Sequence, residues 1–456
     1  MFDTITAIST ARGVGAIGIV RISGDEAIAI ASKIFKGYID IKNAKSHTIH
    51  YGHIVDIDNN IIDEVLVMLM RAPKTFTRED VVEINCHGGI VVLERVLMEV
   101  VRAGARLAEP GEFSKRAFLN GRIDLSQVEA IMDIIDSKTD LSLKQAIGQL
   151  EGKLSTKIKH YQTELIAIIS TIEVSIDYPE YEEYEIEREN IQISIHRLLL
   201  NLRELLKTAD TGQMVREGIK TVIIGEPNVG KSSLLNTLLA EDKAIVTDIA
   251  GTTRDIVEAY FNIEGIPFVL LDTAGIRETD DVVEKIGVEK SLKCVENANL
   301  ILMVIDASKS LSDGEIDIIG DIKNKKVIYI LNKTDLEQLT LDKDIRKLDD
   351  AAVIVKISTA NNFGIEELQK IIKDRVVTEE ISVGAGATIS NQRQKEALIK
   401  AIQSLEKAYE SIADGMPEDC LAIDLHDAYG HLGMIIGEEL KEEIINELFE
   451  RFCLGK

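Results

Sequence analysis

A chain of 456 residues, 45 % hydrophobic and 28 % charged, has material for about three domains and excludes a peptide, a collagen-like repeat and wholesale disorder. Its 77 acidic against 52 basic residues leave a net charge of −25, which excludes a protein that coats nucleic acid by bulk charge, because phosphate binding needs Lys and Arg. Four scattered cysteines without a C-x-x-C pair exclude a disulfide framework and a thiolate zinc site, and no stretch approaches the ~20 apolar residues of a membrane span. The expectation is a soluble protein of a reducing cytoplasm.

Residues 1–120 mix short β-branched runs, such as Ile17–Ile22 and Glu64–Leu69, with a helical stretch over Ile90–Ala103, and so predict an α+β domain. From Ile123 the apolar residues fall at three- and four-residue spacing through Leu125, Val128, Ile131, Leu165, Ile169 and Ile172, the pattern of a long amphipathic helix over much of 121–215. Asp177–Glu189 carries seven acids against one Arg and reads as a solvated connection between helices. Over 216–380, buried-type strands at Lys220–Ile224, Phe268–Leu271, Leu300–Ile305, Val327–Leu331 and Val353–Ile357 alternate with helices, predicting a mostly parallel sheet covered on both faces. Helical periodicity returns in 381–456, at Ala397–Ala413 and Leu432–Phe449, so the α/β block is read as an insertion into one split helical domain.

Within that block, Gly225-Glu-Pro-Asn-Val-Gly-Lys231-Ser232 fits the phosphate-binding pattern G-x-x-x-x-G-K-[ST] and lies between a strand and a helix. Its backbone N–H groups, including those of Asn228, Val229, Gly230 and Ser233, suit phosphate oxygens; Lys231 reaches the β and γ phosphates, and Ser232 ligates Mg²⁺. Asp272-Thr273-Ala274-Gly275 follows a strand and places a carboxylate near the metal and a glycine N–H near the γ-phosphate. Asn332-Lys333-Thr-Asp335 ends another strand, where the Asp335 carboxylate can accept from two guanine donors that adenine does not offer. Ser358-Thr-Ala360 is a looser match to the loop beneath guanine O6. Four motifs in this order identify a GTP site.

The segment Thr247-Asp248-Ile249-Ala250-Gly251-Thr252-Thr253-Arg254 supplies the first switch, with Thr253 as second Mg²⁺ ligand; Arg254 is either a cis arginine finger or a structural partner of Asp255. The position that holds a water-orienting Gln in Ras-like switches is Ile276 here, whose aliphatic side chain cannot orient water.

These motifs, with Thr10–Gly24, Arg78–Gly89, Pro110–Arg122 and the terminal Cys453-Leu-Gly-Lys456, resemble the MnmE (TrmE) family of tRNA-modification GTPases over essentially the whole chain. The resemblance implies an N-terminal tetrahydrofolate-binding and dimerisation domain (1–120), a helical domain in two parts (121–215 and 381–456) and an inserted Ras-like G domain (216–380). It implies a homodimer that works with the flavoprotein MnmG to add an aminomethyl-type group to C5 of the wobble uridine of certain tRNAs. It also implies a K⁺ ion held by Asn228 and by Thr247, Ile249 and Thr252, with Glu284 as the acid that positions water beside the catalytic Lys231. Read alone, Glu284 is an ordinary solvated switch residue. The folate site that the resemblance implies is Arg21, Glu83, Arg122 and Lys456; without it each reads as a surface charge, and many family members carry Lys where Arg122 stands.

Gly13-Val-Gly-Ala-Ile-Gly18 mimics a dinucleotide fingerprint but leads into a β-branched run rather than a helix. Cys453 stands fourth from the end, but Lys456 is outside the usual prenylation set. His87 lacks metal-ligand company and reads as a core or hydrogen-bonded histidine. A regulatory GTPase of ribosome assembly is the alternative function, disfavoured by the single phosphate loop and the acidic segment Gly437–Glu443.

Overall fold

The computed structural model describes residues 3–177, 188–241, 259–271, 295–376, 386–438, 442–450, 452 and 455. They form two compact units, residues 1–132 with 430–456, and residues 133–429.

The first unit is built on a sheet of seven strands, β1 (Ile5–Ile8), β2 (Ile17–Ser23), β3 (Phe35–Gly37), β4 (Thr48–Val55), β5 (Ile61–Met70), β6 (Val81–His87) and β7 (Arg106–Leu107), in the order β3-β4-β5-β6-β2-β1-β7. Period-two alternation divides its side chains between two faces. Val20, Ile22, Val82 and Ile84 point into the main core beneath helices α1 (Ala27–Ile34) and α2 (Ile90–Ala103). On the other face Ile5 and Ala7 pack with Phe113 of helix α3 (Glu112–Leu119), and Phe76 lies against this smaller cluster. Farther along that second face the sheet is uncovered, and Ile49, Tyr51 and Leu66 are 60 %, 60 % and 47 % exposed. Tyr51, Leu66 and Asn85 form one cross-strand row of it.

Among the described residues Arg116 is the largest fully buried side chain, tolerated because its guanidinium donates to Asp3, Glu79 and Glu112. The C-terminal helix Glu442–Glu450 packs through Ile445 and Phe449 on Leu125 and Val128 of helix α4 (Leu125–Asp136). The chain end then returns to its beginning: Ser9 Oγ donates to the buried Gly455 carbonyl at 3.1 Å. A Cβ on Gly455, at φ 88°, would stand 2.3 Å from the Ile8 carbonyl oxygen, so only glycine allows the approach.

The periodic stretch after residue 121, which runs from the first unit into the second, is not one long helix. It is broken after α4 into α5 (Asp140–Leu150) and α6 (Lys153–Asp177). Thr139 starts α5 with a reciprocal cap: its Oγ1 accepts from the Ser142 amide at 3.1 Å, and Ser142 Oγ accepts from the Thr139 amide. Gly152, at φ 83°, turns the chain before α6. Caps outweigh the continuing apolar periodicity. The acidic segment read as a connection lies, in its residues 178–187, outside the described residues.

Helix α7 (Arg188–Glu217) runs for 30 residues and is joined to strand β8 (Ile219–Ile224) by the single residue Gly218. Gly218 has φ 81°, and a Cβ there would meet Val269 Cγ2 at 2.7 Å. The sheet that follows comprises β8, β9 (Ala259–Ile263), β10 (Ile266–Leu270), β11 (Leu300–Asp306), β12 (Val327–Asn332) and β13 (Ile354–Lys356), in the order β13-β12-β11-β8-β10-β9. All neighbours are parallel except the β9–β10 hairpin. Helices α8 (Lys231–Glu241), α9 (Asp313–Ile322) and α10 (Asp342–Arg346) lie between strands, and α11 (Ile365–Val376) follows β13. Both sheet faces are buried, Ile223, Leu302 and Ile330 on one side and Ile224, Met303 and Tyr329 on the other. Helices α12 (Gln392–Ala413) and α13 (Glu418–Ile436) follow, with α12 packed along α7.

Candidate functional site

The phosphate loop leaves β8 at Gly225 and enters α8 at Lys231, so it sits at the carboxyl end of a central parallel strand, where doubly wound sheets bind ligands. Two glycines are needed for contact reasons. A Cβ on Gly225 would lie 2.2 Å from the Val304 carbonyl oxygen, and one on Gly230 would lie 2.2 Å from Asn332 Nδ2. Asn228 takes a left-handed conformation, φ 61°, at the tip. Lys231 Nζ folds back to donate to the Gly225 carbonyl at 3.0 Å and the Glu226 carbonyl at 2.7 Å, so its ammonium is held inside the loop. Ser232 and Ser233 are exposed on the first turn of α8, where N–H groups and the helix dipole favour an anion.

Asn332, fully buried at the end of β12, joins this loop to the base-recognition motifs. Its Nδ2 donates to the Val229 carbonyl at 2.8 Å, and its Oδ1 accepts from the Thr359 amide at 3.1 Å. Lys333 follows at φ 62°, and its Nζ reaches Asp306 Oδ2 at 2.7 Å. Burial opposes the charge of Asp306, but the Lys333 ammonium and the Ser308 hydroxyl and amide outweigh it and hold that carboxyl below its ordinary value. Asp335 is exposed, and its Oδ1 accepts from Ser358 Oγ at 2.6 Å, which orients the carboxylate. Ala360 is exposed one residue beyond Thr359.

The structure thus brings Asn228, Val229, Gly230, Lys231, Ser232, Ser233, Asn332, Lys333, Asp335, Ser358 and Ala360 to one end of one sheet. The expected residues Thr247, Asp248, Ile249, Ala250, Gly251, Thr252, Thr253, Asp272, Thr273, Ala274, Gly275 and Glu284 lie outside the described residues.

Three positioning residues were not expected from the motifs. Thr359 fixes Asn332, Asp306 fixes Lys333, and the Glu226 carboxylate accepts from the Ser312 hydroxyl that caps α9. Nearby Glu315 is pushed upward by burial and by Glu226 and Asp306, against the Ser312 amide. Asp306 carried a readable signal, as the one acid ending a strand of seven buried residues.

In the first unit Arg21 and Glu83 are direct cross-strand partners on β2 and β6. Arg21 Nε donates to Glu83 Oε1 at 2.8 Å, and Nη2 forms an ion pair with the same oxygen at 2.7 Å. The Arg21 guanidinium lies 5.7 Å from the centre of the Phe113 ring, and that of Arg122 lies 4.9 Å from the Phe76 ring and donates to the Phe76 carbonyl at 3.2 Å. Burial, and then Arg78, lower the proton affinity of Arg122. The three residues therefore border one aromatic cluster, with Arg21 on the strand that pairs with β1 and hence near the Gly455 approach. Lys456 lies outside the described residues. His87, expected to be a core or hydrogen-bonded histidine, has its Nδ1 2.7 Å from Asp63 Oδ1, and that carboxylate raises its proton affinity. Among the described residues no cluster of three His, Cys, Asp or Glu side chains could hold a metal ion, and no helix is long and apolar enough to cross a membrane.

Residues 4–122 match the family described as GTP-binding protein TrmE N-terminus, and residues 125–453 match the MnmE helical domain. Three relatives named tRNA modification GTPase MnmE align along the whole chain. That of Thermoanaerobacter pseudethanolicus is 50 % identical over 100 % of both chains. Those of Acetivibrio thermocellus and Bacillus mycoides are 51 % and 50 % identical, over 100 % of this chain and 99 % and 100 % of theirs. Among solved structures, a single-residue variant of Aquifex aeolicus Era bound to GDP.AlF4- is 32 % identical over 41 % of this chain and 66 % of that one, with a TM-score of 0.27.

Proposed function

This chain belongs to the MnmE family of tRNA modification GTPases, and from that membership we propose that it couples GTP hydrolysis to a change at C5 of the wobble uridine, position 34, of certain tRNAs. The group added is of the aminomethyl type, carboxymethylaminomethyl among them, and the partner is the flavoprotein MnmG in a heterotetramer. The observation that carries the GTPase half of this reading is the hydrogen-bonded joint of phosphate loop and base motif through Asn332, Val229 and Thr359. Full-length kinship with proteins named tRNA modification GTPase favours this reading over the ribosome-assembly alternative.

The division of labour follows the four segments 1–120, 121–215, 216–380 and 381–456. Lys231 exchanges its two loop carbonyls for β- and γ-phosphate oxygens, and the N-terminal turn of α8 receives their charge. Asp335, oriented by Ser358, accepts from guanine, while Asp306 holds Lys333 beside it. Ser232, exposed on the first helical turn, has the donor chemistry for Mg²⁺, with Thr253 as its second ligand; the metal neutralises charge on the phosphates. The Asn228 side chain, exposed at the loop tip, offers a carbonyl to K⁺ together with Thr247, Ile249 and Thr252, and Glu284 positions the attacking water. The cation takes the part that an arginine finger plays elsewhere.

The chemistry of Arg21, Glu83 and Arg122 fits a tetrahydrofolate derivative. The Arg21 hydrogen bond and ion pair both fall on Glu83 Oε1, the Phe113 and Phe76 rings provide apolar walls, and Lys456 completes the set; the folate supplies a one-carbon unit when bound. The uncovered apolar row at Ile49, Tyr51 and Leu66 supports a homodimer formed through this sheet. A cytoplasmic location accords with a tRNA substrate. The deciding experiment compares tRNA nucleosides from cells with and without this protein: loss of the C5 modification at position 34 is expected, and unchanged nucleosides overturn the reading.

A further inference from the structure

Residues 41–55 and 65–78 contain five Lys and Arg and no Asp or Glu, in a chain whose net charge is −25. Antiparallel pairing of β4 with β5, Thr48 opposite Leu69, brings the start of the first stretch against the end of the second. Lys42, Lys45, Arg71 and Lys74 therefore gather at one corner of the first unit's sheet, where the three lysines are exposed. Arg78, also exposed, lies farther along the same loop.

Arg71, the least exposed of these cations, holds the corner together. Its Nη2 donates to the Lys42 carbonyl at 2.8 Å, its Nε to the Ala44 carbonyl at 3.4 Å, and its amide to Ser46 Oγ at 2.8 Å. His47, in a left-handed conformation at φ 61°, donates from Nε2 to the Lys74 carbonyl at 3.1 Å. The backbones that carry the three lysines are thus bonded to one another, which lowers the entropy lost when a ligand is bound. Among the described residues no carboxylate pairs with Lys42, Lys45, Lys74 or Arg78, whereas Arg106 and Arg116 of the same unit are ion-paired. The adjacent acids are engaged: Asp40 accepts from the Lys42 amide at 3.0 Å, Asp80 from the Ala72 amide at 2.8 Å, and Glu79 from the buried Arg116. Two remaining carboxylates do not cancel five cations, so the corner stays positive.

A chain of net charge −25 repels RNA as a whole, and any RNA contact has to be made by a local surface of opposite sign. The loop that carries Lys74 and Arg78 also carries Phe76, one wall of the proposed folate site. Arg78 stands close enough to Arg122 that, after burial, its charge lowers the proton affinity of that guanidinium. RNA held at this corner therefore lies beside the proposed one-carbon donor. We propose that Lys42, Lys45 and Lys74, with Arg78 on the folate side, bind the phosphate backbone of the substrate tRNA, an inference that rests on the tRNA-modification reading above. Ammonium groups hold phosphate without reading bases, so this surface positions the RNA and leaves its selection to other contacts.

The test is fluorescence anisotropy of an unmodified tRNA transcript with uridine at position 34, titrated with the full-length protein from about 50 to about 200 mM KCl. The parent is compared with the triple variant Lys42→Ala, Lys45→Ala, Lys74→Ala and with the corresponding triple Lys→Arg variant. The alanine variant should bind about tenfold or more weakly at the low-salt end, and its slope of log affinity against log salt should be flatter by about two to three, for three lost phosphate contacts. The arginine variant should keep both, since a guanidinium also pairs with phosphate. GTP turnover, whose candidate site lies in the other unit, should be the same in all three. Parent-like affinity and slope in the alanine variant overturn the surface, as does an arginine variant as weak as the alanine one. Parent-like tRNA binding with loss of binding to the flavoprotein partner assigns the corner to an acidic protein instead and overturns it too. A parent that binds no transcript also overturns this surface, while the nucleoside comparison separately judges the tRNA reading.

Discussion

Asn332 donates to the carbonyl of Val229, 103 positions earlier in the chain, so the Asn332–Asp335 motif and the proposed phosphate loop share one hydrogen bond. A ligand that seats its base correctly therefore also sets the phosphate loop. Substitutions on either side of this bond should be felt at both ends of the nucleotide.

Gly230→Ala places a methyl group 2.2 Å from Asn332 Nδ2, at φ 102° where alanine is strained by about 1–3 kcal/mol. Guanine nucleotide affinity should fall by tenfold or more. Titration with a fluorescent GDP analogue measures the loss, and unchanged affinity would mean that the loop and Asn332 move independently.

Nucleotide choice rests on Asp335. Asp335→Asn should weaken GTP by roughly 10- to 100-fold, the scale of one or two lost hydrogen bonds to a charged group. It should at the same time admit xanthosine triphosphate, because the amide can donate to the carbonyl that replaces the guanine 2-amino group. Competition between the two nucleotides on the same variant gives the answer.

Acid stability should report Asp3. The Arg106 hydrogen bond above all, with the charges of Arg106 and Arg116, outweighs the opposing cost of burial and holds the Asp3 carboxyl at about 2 rather than 3.8. A depressed folded value means that its stabilisation is present above pH 3.8 and disappears as pH falls through about 2. Asp3→Asn should therefore melt below the parent at neutral pH, with the two Tm values converging as the solution is acidified over that interval. A constant gap down to the lowest pH would assign the effect to packing.

Hydrolysis should be faster in K⁺ than in Na⁺ at equal ionic strength, since Ile276 cannot orient water and leaves transition-state charge to a cation of the right size. Glu284→Ala should lower kcat with little change in GTP affinity, the pattern of an interaction made only in the transition state. Equal rates in the two salts would count against the cation site.

Gly455→Ala drives a Cβ to 2.3 Å from the Ile8 carbonyl oxygen, and deletion of Cys453–Lys456 removes the tail altogether. Both should abolish tRNA modification and spare GTP turnover, because the tail lies in the unit that holds Arg21, Glu83 and Arg122. The paired readout is GTP hydrolysis and modified-nucleoside content of the same preparation. Survival of both activities would remove the tail from the folate site.

Much of this architecture could be read in advance wherever local chemistry and burial agree. Helix α2 begins and ends where its periodicity does, at Ile90 and Ala103, and the core strands of the second sheet carry the apolar runs that two-sided burial demands. The edge strand β9 was not read, since its sequence Ala-Tyr-Phe-Asn-Ile has a polar residue and faces a single neighbour. The breaks at Thr139 and Gly152 were hidden because the apolar spacing continues across them, while a hydroxyl pair and one backbone angle decide the turn. At the candidate nucleotide site the described motif residues, which the structure brings to one end of the sheet, were legible from motif chemistry. Thr359 and Glu226 were not, because each acts on another side chain across the fold, and spacing along the chain carries no record of such contacts, while Asp306 showed only as an acid at the end of a buried strand.

Helix α7 ends in a joint of one residue, and that gives it leverage. Thirty residues at 1.5 Å each make a rod of ~45 Å, so a tilt of ~5° about Gly218 carries its far end through ~4 Å. Gly218 donates to the Met214 carbonyl and is packed against Val269 and Pro267, so the fulcrum is seated on β10 and its neighbour β8, the strand that leads into the phosphate loop. A displacement too small to break any hydrogen bond of the sheet thus becomes a stroke of several ångströms at Arg188.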